Sequence, residues 1–312
     1  MRIRFWGVRG SVPTPLMPSK VKSKISSAVQ RISAKDIESQ ESRELFLSDL
    51  PDYLFSTVGG NTACVEVVTN EKARLIFDAG TGIRELGNEI LATREAVDCR
   101  IFFSHFHWDH IQGLPFFGPA FDPRDSIVFY SPVADFKSIL EGQMKPPYFP
   151  ITMDVMSARK EFRVLEGSPV RIGGVSIGYR SMNHPGGCFS YAISEGDVRA
   201  IYSTDTELRE DDFRRTSENA AYFQDADILI LDTQYTLGEA IEKYNWGHSS
   251  FSLASDFAVT WGIKRLVLFH HEPSYSDHKV DSIFKNASWY TEHLESKGIE
   301  VILAREGLEI EV

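Results

Sequence analysis

Short apolar runs of strand length recur along the chain, and Gly, Pro, Asn or Asp often lies near their ends, as is typical of strands bounded by turns. Three longer stretches place apolar residues about every 3.6 positions, which predicts helices over 83–91, 251–261 and 283–297. This mixture predicts two packed sheets with helices outside them. The predicted strands are 3–6, 63–68, 75–77, 100–103, 126–130, 176–179, 189–193, 200–202, 228–231, 266–269 and 300–303.

The segment 16–55 interrupts this pattern and is predicted to be an insertion within one domain of residues 1–312. It contains no convincing strand, but Ile25, Val29 and Ile32 have helical spacing. A helical lid, a dimer contact, a partly mobile arm and a helix packed on the surface all agree with this pattern.

The segment 133–165 is the second predicted insertion. It contains Lys-Pro-Pro-Tyr-Phe-Pro-Ile, in which three prolines around two aromatic residues predict a stiff, displayed loop. Tyr148 and Phe149 of this loop either stack on a substrate nucleobase or fill a small satellite core. The same loop would complete a neighbour's pocket in a homodimer, so dimerisation stays open.

The composition is that of an acidic globular chain. Hydrophobic residues make up 42%, and 33 basic against 44 acidic residues give a net charge of −11. No apolar run approaches about eighteen residues, so no membrane span is predicted. The N-terminal residues lack the sections of a secretion signal and the three cysteines form no metal-like pair, so we expect a cytoplasmic protein. The negative charge disfavours a long polyanionic partner, because nucleic-acid binders usually carry a basic patch.

Potential metal ligands are most concentrated at residues 104–110, which read Ser-His-Phe-His-Trp-Asp-His after a strand-like apolar run. His105 and His107 point to the same side of an extended chain because the side-chain period is two. Asp109 and His110 follow in a turn and approach from another direction. Three imidazoles and a carboxylate in this arrangement suit a pair of divalent cations better than one.

This motif resembles the signature of the metallo-β-lactamase superfamily. The family pattern asks for three more ligands near strand ends, and the chain has them in order at His184, Asp205 and His270. Leu-Ile-Phe-Asp-Ala-Gly-Thr-Gly at 75–82 also matches the strand and turn that precede the main motif. The resemblance covers residues 2 to about 305 and implies an α/β fold, the four-layer αββα sandwich.

The resemblance also implies how the ligands divide between two metal ions, with Asp205 bridging because its two oxygens can each serve one cation. Adjacent strand side chains point oppositely, so we expect only one of His270 and His271 to reach the metals and prefer His270. His271 would then hydrogen-bond nearby or face substrate. Zinc is the expected cation, and manganese also suits these ligands. The first ion would be held by His105, His107 and His184, and the second by Asp109, His110 and His270.

A pair of divalent cations can activate water and clamp a phosphoryl or acyl centre, so hydrolysis is the natural chemistry. Asp109 is also a candidate to orient the nucleophile or accept its proton. The sequences at 231–235 and 246–250 resemble the phosphodiesterase branch of the superfamily, which includes ribonuclease Z and small cyclic-phosphate hydrolases. In that branch a histidine in a Gly-His-Ser setting contacts the scissile phosphate, and His248 matches it. Asp232 is its candidate acidic partner, although ribonuclease Z has a histidine at the corresponding place.

The substrate is expected to be small. Ribonuclease Z carries a protruding arm that grips transfer RNA, often between the third and fourth ligand motifs, whereas the interval from His184 to Asp205 leaves room only for a pair of strands. Transfer RNA is therefore disfavoured, and a 3′,5′-cyclic nucleotide is the predicted substrate.

Two turn sequences supply candidate substrate contacts. Gly-Val-Arg-Gly-Ser at 7–11 and Gly-Gly-Asn-Thr at 59–62 resemble the bacterial cyclic-nucleotide phosphodiesterase-like group. The backbone amides of Gly10 and Ser11 would meet an anion, and Asn61 would approach the same centre. Three alternatives stay open: a ribonuclease Z-like RNA 3′-end endonuclease, a hydrolase of esters or lactones, and a non-catalytic metal-bound sensor module.

Overall fold

The computed structural model describes residues 1–167, 169–294 and 298–312. Two sheets of seven strands each form from these residues. The strands are β1 (Arg2–Gly7), β2 (Cys64–Val68), β3 (Arg74–Phe77), β4 (Asp98–Phe102), β5 (Ser126–Ser131), β6 (Arg159–Val164), β7 (Val170–Ile172), β8 (Val175–Met182), β9 (Cys188–Glu195), β10 (Val198–Ser203), β11 (Ile228–Asp232), β12 (Arg265–Phe269), β13 (Glu300–Leu303) and β14 (Glu309–Glu311).

Helices cover the sheets and fill the longer connections. The α-helices are α1 (Pro18–Val29), α2 (Gln40–Ser48), α3 (Asp52–Phe55), α4 (Gly82–Thr93), α5 (Trp108–Ile111), α6 (Phe136–Gln143), α7 (Glu210–Phe213), α8 (Ser217–Phe223), α9 (Leu237–Glu242), α10 (Phe251–Trp261) and α11 (Asp277–His293). Short 3₁₀ turns lie at Ala34–Ile37, Leu114–Phe116, Gly118–Phe121 and Met153–Val155. The described residues include no helix with the length and hydropathy needed to cross a bilayer.

The strand order explains why several chain turns meet. The first sheet runs β14-β1-β2-β3-β4-β5-β6, and the second runs β13-β12-β11-β10-β9-β8-β7. Strands β3 to β6 are parallel to one another, as are β10 to β13. Strand β1 shares the direction of β3 through β2, and β8 shares the direction of β10 through β9. Within each sheet, the carboxyl ends of these strands therefore lie at one edge.

The main core lies between the two sheets, and alternation along each strand divides the side chains between layers. Phe77 of β3 points into this core, where its ring centroid lies 5.6 Å from those of Tyr191 and Tyr202 in the second sheet. Its neighbour Ile76 points outward into a separate cluster beneath α4. A third cluster joins the outer face of the second sheet to α10, with Phe257 fully buried. This is the four-layer αββα sandwich, so the predicted fold is confirmed.

All eleven predicted strands form, with ends shifted by a few residues, but the structure corrects the second predicted insertion. Residues 159–164 form β6, which pairs with β5 at the edge of the first sheet and is thus part of the sandwich. Its charged, largely exposed side chains gave no apolar run from which to predict a strand. Helix α11 begins at Asp277 rather than at residue 283, and residues 295–297 of that predicted helix lie outside the described residues.

The segment 16–55 is helical, and every residue in it is described. Helix α1 contains Ile25 and Val29 and ends before Ile32. Its Lys24 ammonium lies 2.6 Å from the Asp277 carboxylate at the start of α11, and it also donates to the backbone carbonyl of Ser56 at 2.6 Å. These contacts fasten the segment to the surface of the sandwich.

Candidate metal centre and active site

The seven predicted metal ligands follow the carboxyl ends of four strands. His105 begins just beyond β4, His184 beyond β8, Asp205 beyond β10 and His270 beyond β12. Asp205 and His270 have φ values of 41° and 61°, in the left-handed region that non-glycine residues seldom adopt. Such strained conformations concentrate at functional sites, where the surrounding structure holds them. The structure brings all seven predicted ligands into one cluster.

The first half of the cluster contains three histidines and one oxygen of Asp205, with ligand atoms within 4.8 Å of one another. The Nε2 atom of His184 lies 3.2 Å from Nδ1 of His107. The Nε2 atoms of His105 and His184 each lie 3.7 Å from Oδ2 of Asp205. Three ring nitrogens and a carboxylate oxygen therefore converge on one point, which is the donor set of a zinc-type cation.

The second half uses the other oxygen of Asp205. The Nε2 atoms of His110 and His270 each lie 3.1 Å from Oδ1 of Asp205, and they lie 3.2 and 3.3 Å from Oδ2 of Asp109. Because Oδ1 faces this half and Oδ2 faces the first, Asp205 has the geometry of a bridging ligand.

The orientation of the rings tests whether these residues fit two cations. The Nε2 atom of His105 is buried and has no hydrogen-bond partner among the described residues, a costly arrangement unless something binds there. The Nε2 atom of His110 is equally buried and faces only the carboxylate oxygens of Asp109 and Asp205. Contacts at Nδ1 hold three rings so that Nε2 faces the cluster. Two divalent cations would satisfy these nitrogens, so the donor set fits them. The Nδ1 contacts are His105 to Ser104 Oγ at 3.0 Å, His110 to Asp78 Oδ2 at 2.8 Å and His184 to the Gly247 carbonyl at 2.9 Å.

The electrostatics of the cluster suit cation binding. Burial raises the pKa of Asp205 and Asp109, but the neighbouring histidines outweigh it and hold both carboxyls well below their usual pKa. Burial, followed by the charge of His110, lowers the pKa of His105 well below its usual value. The carboxylates are therefore ionised at neutral pH, and His105 is neutral, as metal ligands must be. Burial lowers the pKa of His110, but the charges of Asp205, Asp109 and Asp78 outweigh it and hold that pKa well above its usual value, so a cation bound there would displace a proton from His110.

Asp78 lies behind the cluster, and its contacts could not be predicted from the sequence, although its turn matches the family landmark at 75–82. It follows β3 with a φ of 62° and is fully buried. Its carboxylate accepts hydrogen bonds from the backbone amide and hydroxyl of Ser104, both at 2.7 Å, from the Tyr202 hydroxyl at 2.8 Å, and from Nδ1 of His110. A carboxylate behind a ligating histidine fixes its tautomer and strengthens it as a ligand.

His248 lies beside both halves of the cluster, and Asp232 is its partner in the structure. Nδ1 of His248 lies 2.7 Å from Oδ2 of Asp232, which itself ends β11. Burial lowers the pKa of His248, but the Asp232 charge and hydrogen bond prevail and raise that pKa to about 9. The His248 ring centroid lies 5.2 Å from those of His184 and His270. Asp232 thus holds His248 next to the candidate metal site.

An open cavity of about 410 Å³ gives access to this cluster. Metal ligands and His248 line it together with a largely exposed tryptophan, Trp108, which belongs to the ligand motif itself. The lining residues are Ser11, Phe106, His107, Trp108, Asp109, Asp205 and His248.

The structure corrects the predicted substrate contacts of Asn61 and His271. The Asn61 amide donates to the Glu306 carboxylate at 3.0 Å, so it stabilises a turn and does not reach the metal site. His271 is buried, and its Nε2 donates to the Ala304 carbonyl at 2.8 Å. Of its two predicted roles, local hydrogen bonding is therefore the one the structure shows, whereas His270 faces the cluster.

Gly10 and Ser11 also differ from expectation, because the protein itself uses their amides. The Gly10 amide donates to the His271 carbonyl at 3.0 Å. The Ser11 amide does meet an anion, but that anion is the Asp109 carboxylate at 2.7 Å. Ser11 therefore lines the cavity and orients a metal ligand.

Tyr148 and Phe149 of the proline-rich loop were predicted to contact substrate, but neither lines the cavity at the metal site. Tyr148 is 76% exposed and is not among the residues that line the cavity. Phe149 packs on the core cluster outside the first sheet and meets Phe116 edge-on at 5.7 Å. The satellite-core alternative therefore describes Phe149, and the predicted substrate contact of this pair is corrected.

An αββα sandwich with these ligands at its edge is the architecture of a metal-dependent hydrolase. Residues 73–271 match the beta-lactamase superfamily domain, and the chain belongs to that superfamily. It is also 22% identical over 273 residues to a ribonuclease Z of Streptococcus pneumoniae, across 70% of this chain and 85% of that protein.

Solved structures share the fold over the whole chain. The metallo-beta-lactamase fold protein YhfI from Bacillus subtilis has a TM-score of 0.65 at 15% identity, covering 100% of this chain and 98% of that one. A diphosphatase from the PhnP family has a TM-score of 0.63 at 16% identity, with coverages of 100% and 97%. The short form of human tRNase Z has a TM-score of 0.59 at 15% identity, with coverages of 100% and 99%. The match of residues 73–271 confirms the predicted superfamily, and these solved structures confirm its fold.

Proposed function

We propose that this protein hydrolyses a small phosphodiester, and that its substrate is a 3′,5′-cyclic nucleotide. The observation that carries the proposal is His248, which Asp232 holds at 2.7 Å beside two half-sites that share Asp205. Zinc is the preferred cation for those half-sites, and the same ligands also suit manganese. Such cations would supply electrophilic activation of water and of the phosphoryl oxygens.

His248 has the properties of the general acid. Its Nδ1 is occupied by Asp232, so Nε2 is left for the substrate, and a pKa of about 9 keeps the ring protonated at neutral pH. A proton delivered from Nε2 to the departing ester oxygen would relieve the negative charge that forms there. Asp109 lines the same cavity with Oδ2 held by the Ser11 amide, and we assign it to orienting the attacking water.

The chain between His184 and Asp205 supports a small substrate. Strands β9 and β10 occupy 188–195 and 198–203 and are paired within the second sheet. This interval is therefore taken up by the sandwich, at the position where ribonuclease Z often carries its RNA-binding arm. The net charge of −11 agrees with a small substrate, since a long RNA would meet repulsion over most of the surface.

A second candidate function is that of a ribonuclease Z-like endonuclease, which the ribonuclease Z relatives favour. Purified, metal-loaded protein should be assayed on 3′,5′-cyclic mononucleotides, bis(p-nitrophenyl) phosphate, precursor transfer RNA and a lactone. An Asp205→Asn variant purified in parallel gives the background of contaminating enzymes. We expect turnover of the cyclic nucleotides and the aryl diester. Cleavage of the RNA alone would select the second candidate, and cleavage of the lactone alone would exclude both.

A further inference from the structure

A second cleft, of about 560 Å³, shares His248 with the metal cavity. Apart from His248, the two cavities have no lining residue in common, and none of the seven predicted metal ligands lines the cleft. One wall is helix α9 and the residues that follow it, and the other is the segment 207–214. His248 therefore stands where a charged cavity and this cleft adjoin.

The α9 wall presents an apolar stripe to the cleft. Leu237, Ala240 and Ile241 of α9 have the i, i+3, i+4 spacing with which a helix normally faces a core, and Tyr244 extends this apolar stripe from the turn that follows the helix. Here the stripe faces open space, because α9 has no buried residue and Leu237, Ile241 and Tyr244 are 55%, 69% and 65% exposed. The cleft continues to Leu208, which is buried. An exposed apolar stripe at the edge of a candidate active site is typical of a ligand-binding surface.

Tyr244 offers a flat aromatic surface to the cleft, and Arg209 lies beside it. The Arg209 guanidinium lies 5.9 Å from the centre of the Tyr244 ring, and it donates to the Asn245 side chain at 2.7 Å. At the rim, Arg214 pairs with Glu210 at 3.1 Å and with Asp211 at 2.7 Å, which balances much of the charge there. The cleft therefore combines aromatic and aliphatic side chains with a guanidinium, a combination that accepts a nucleobase by stacking.

We propose that this cleft binds the nucleobase of the substrate, while the phosphate lies in the metal cavity with His248 between them. This inference rests on the proposed phosphodiesterase function and deepens it, because it assigns the subsite that recognises a nucleotide. Two observations choose the occupant. The cleft adjoins the metal cavity at His248, which lines both, and its volume lies within the usual range for small-molecule sites.

The test measures binding to metal-loaded protein by calorimetry, with adenosine 5′-monophosphate and ribose 5-phosphate as paired probes. Both probes carry the phosphate, and only the first carries a base. Tyr244→Ala should weaken adenosine monophosphate about tenfold and change ribose 5-phosphate less than about twofold, because loss of one stacking contact affects the base alone. Tyr244→Phe should keep the wild-type affinities. Trp289→Ala is the matched control, since Trp289 is similarly exposed at 61% and lines neither cavity.

The outcomes separate this inference from the proposed function. If Tyr244→Ala leaves the affinity for adenosine monophosphate unchanged, or weakens both probes equally, the cleft is not the base subsite even when the wild-type enzyme is active. If wild-type protein turns over no phosphodiester at all, the proposed function fails by a different readout. Circular dichroism of each variant checks that the fold is retained.

Discussion

The carboxylate of Asp78 offers a sharp test of how the protein prepares its metal site. Oδ1 accepts from the Ser104 amide, and Oδ2 accepts from the Ser104 hydroxyl, the Tyr202 hydroxyl and Nδ1 of His110. Asp78→Asn preserves the shape of the side chain but replaces one acceptor with a donor. Hydroxyls can rotate to adapt, whereas the N–H groups of Ser104 and His110 cannot. Either orientation of the new amide therefore leaves one buried N–H without an acceptor.

The magnitude follows from that unmade bond. A buried donor without a partner costs roughly 1–3 kcal/mol, which at about 1.4 kcal/mol per tenfold corresponds to roughly 5- to 150-fold in affinity. Loss of the partner behind a ligating histidine is typically worth about 10- to 100-fold in metal affinity. We therefore expect the ion held by His110 to bind about 10- to 100-fold more weakly, because the ring is no longer fixed with Nε2 toward it.

The assay is titration of the purified protein with a chromophoric chelator, which reports the affinity of each bound ion. Asp125→Asn is the matched control, because Asp125 is also a buried carboxylate but accepts from the Val97 amide at 2.9 Å. Both variants should lose some stability, and only Asp78→Asn should lose metal affinity. A folded Asp78→Asn protein that holds both ions as tightly as the wild type would refute the reasoning.

Four further changes give distinct results. Asp205→Ala should remove both ions and all turnover, measured by elemental analysis and an ester assay, because its two oxygens face different half-sites; retention of either ion at wild-type affinity would contradict the bridging role. His248→Ala should keep both ions and lower kcat by roughly 10²- to 10⁴-fold, as loss of a general acid does; unchanged kcat would remove His248 from the mechanism. Gly247→Ala should weaken metal binding, because Gly247 has a φ of 89° and a Cβ there would lie 2.2 Å from Nδ1 of His184. Gly238→Ala, where no atom lies within 4 Å, should instead stabilise the protein by roughly 0.5–1 kcal/mol in thermal unfolding and leave metal binding unchanged.

The fold was largely predictable because buried strands leave a strong pattern. Strands such as β11, with every residue buried, read as uninterrupted apolar runs, and parallel strands covered on both faces produce such runs. Strand β6 was not predicted because it lies at the edge of its sheet, where its largely charged side chains are exposed and form no apolar run. The three-residue strands β7 and β14 are too short to carry a pattern.

The candidate site divides in the same way. The ligands at 105–110 were predicted from residue types and spacing that lie together in the sequence, and His184, Asp205 and His270 were predicted from the resemblance to the family pattern. The partners of Asn61 and His271 were not predictable in either way, since Glu306 and Ala304 lie far away in sequence and only the closed sandwich brings them near. The role of Asp78 was missed for the same reason, because its contact with His110 spans two separate strand ends.

Elemental analysis combined with anomalous scattering from crystals tests the central claim most directly, namely that seven side chains hold two cations bridged by Asp205. We predict two ions per chain, about 3.5–4 Å apart, one nearest to His184 and the other nearest to His270. Metal-supplemented protein that binds no ion at this cluster would contradict the account. Protein that binds one ion and leaves the histidines of the other half-site without a cation would contradict it as well.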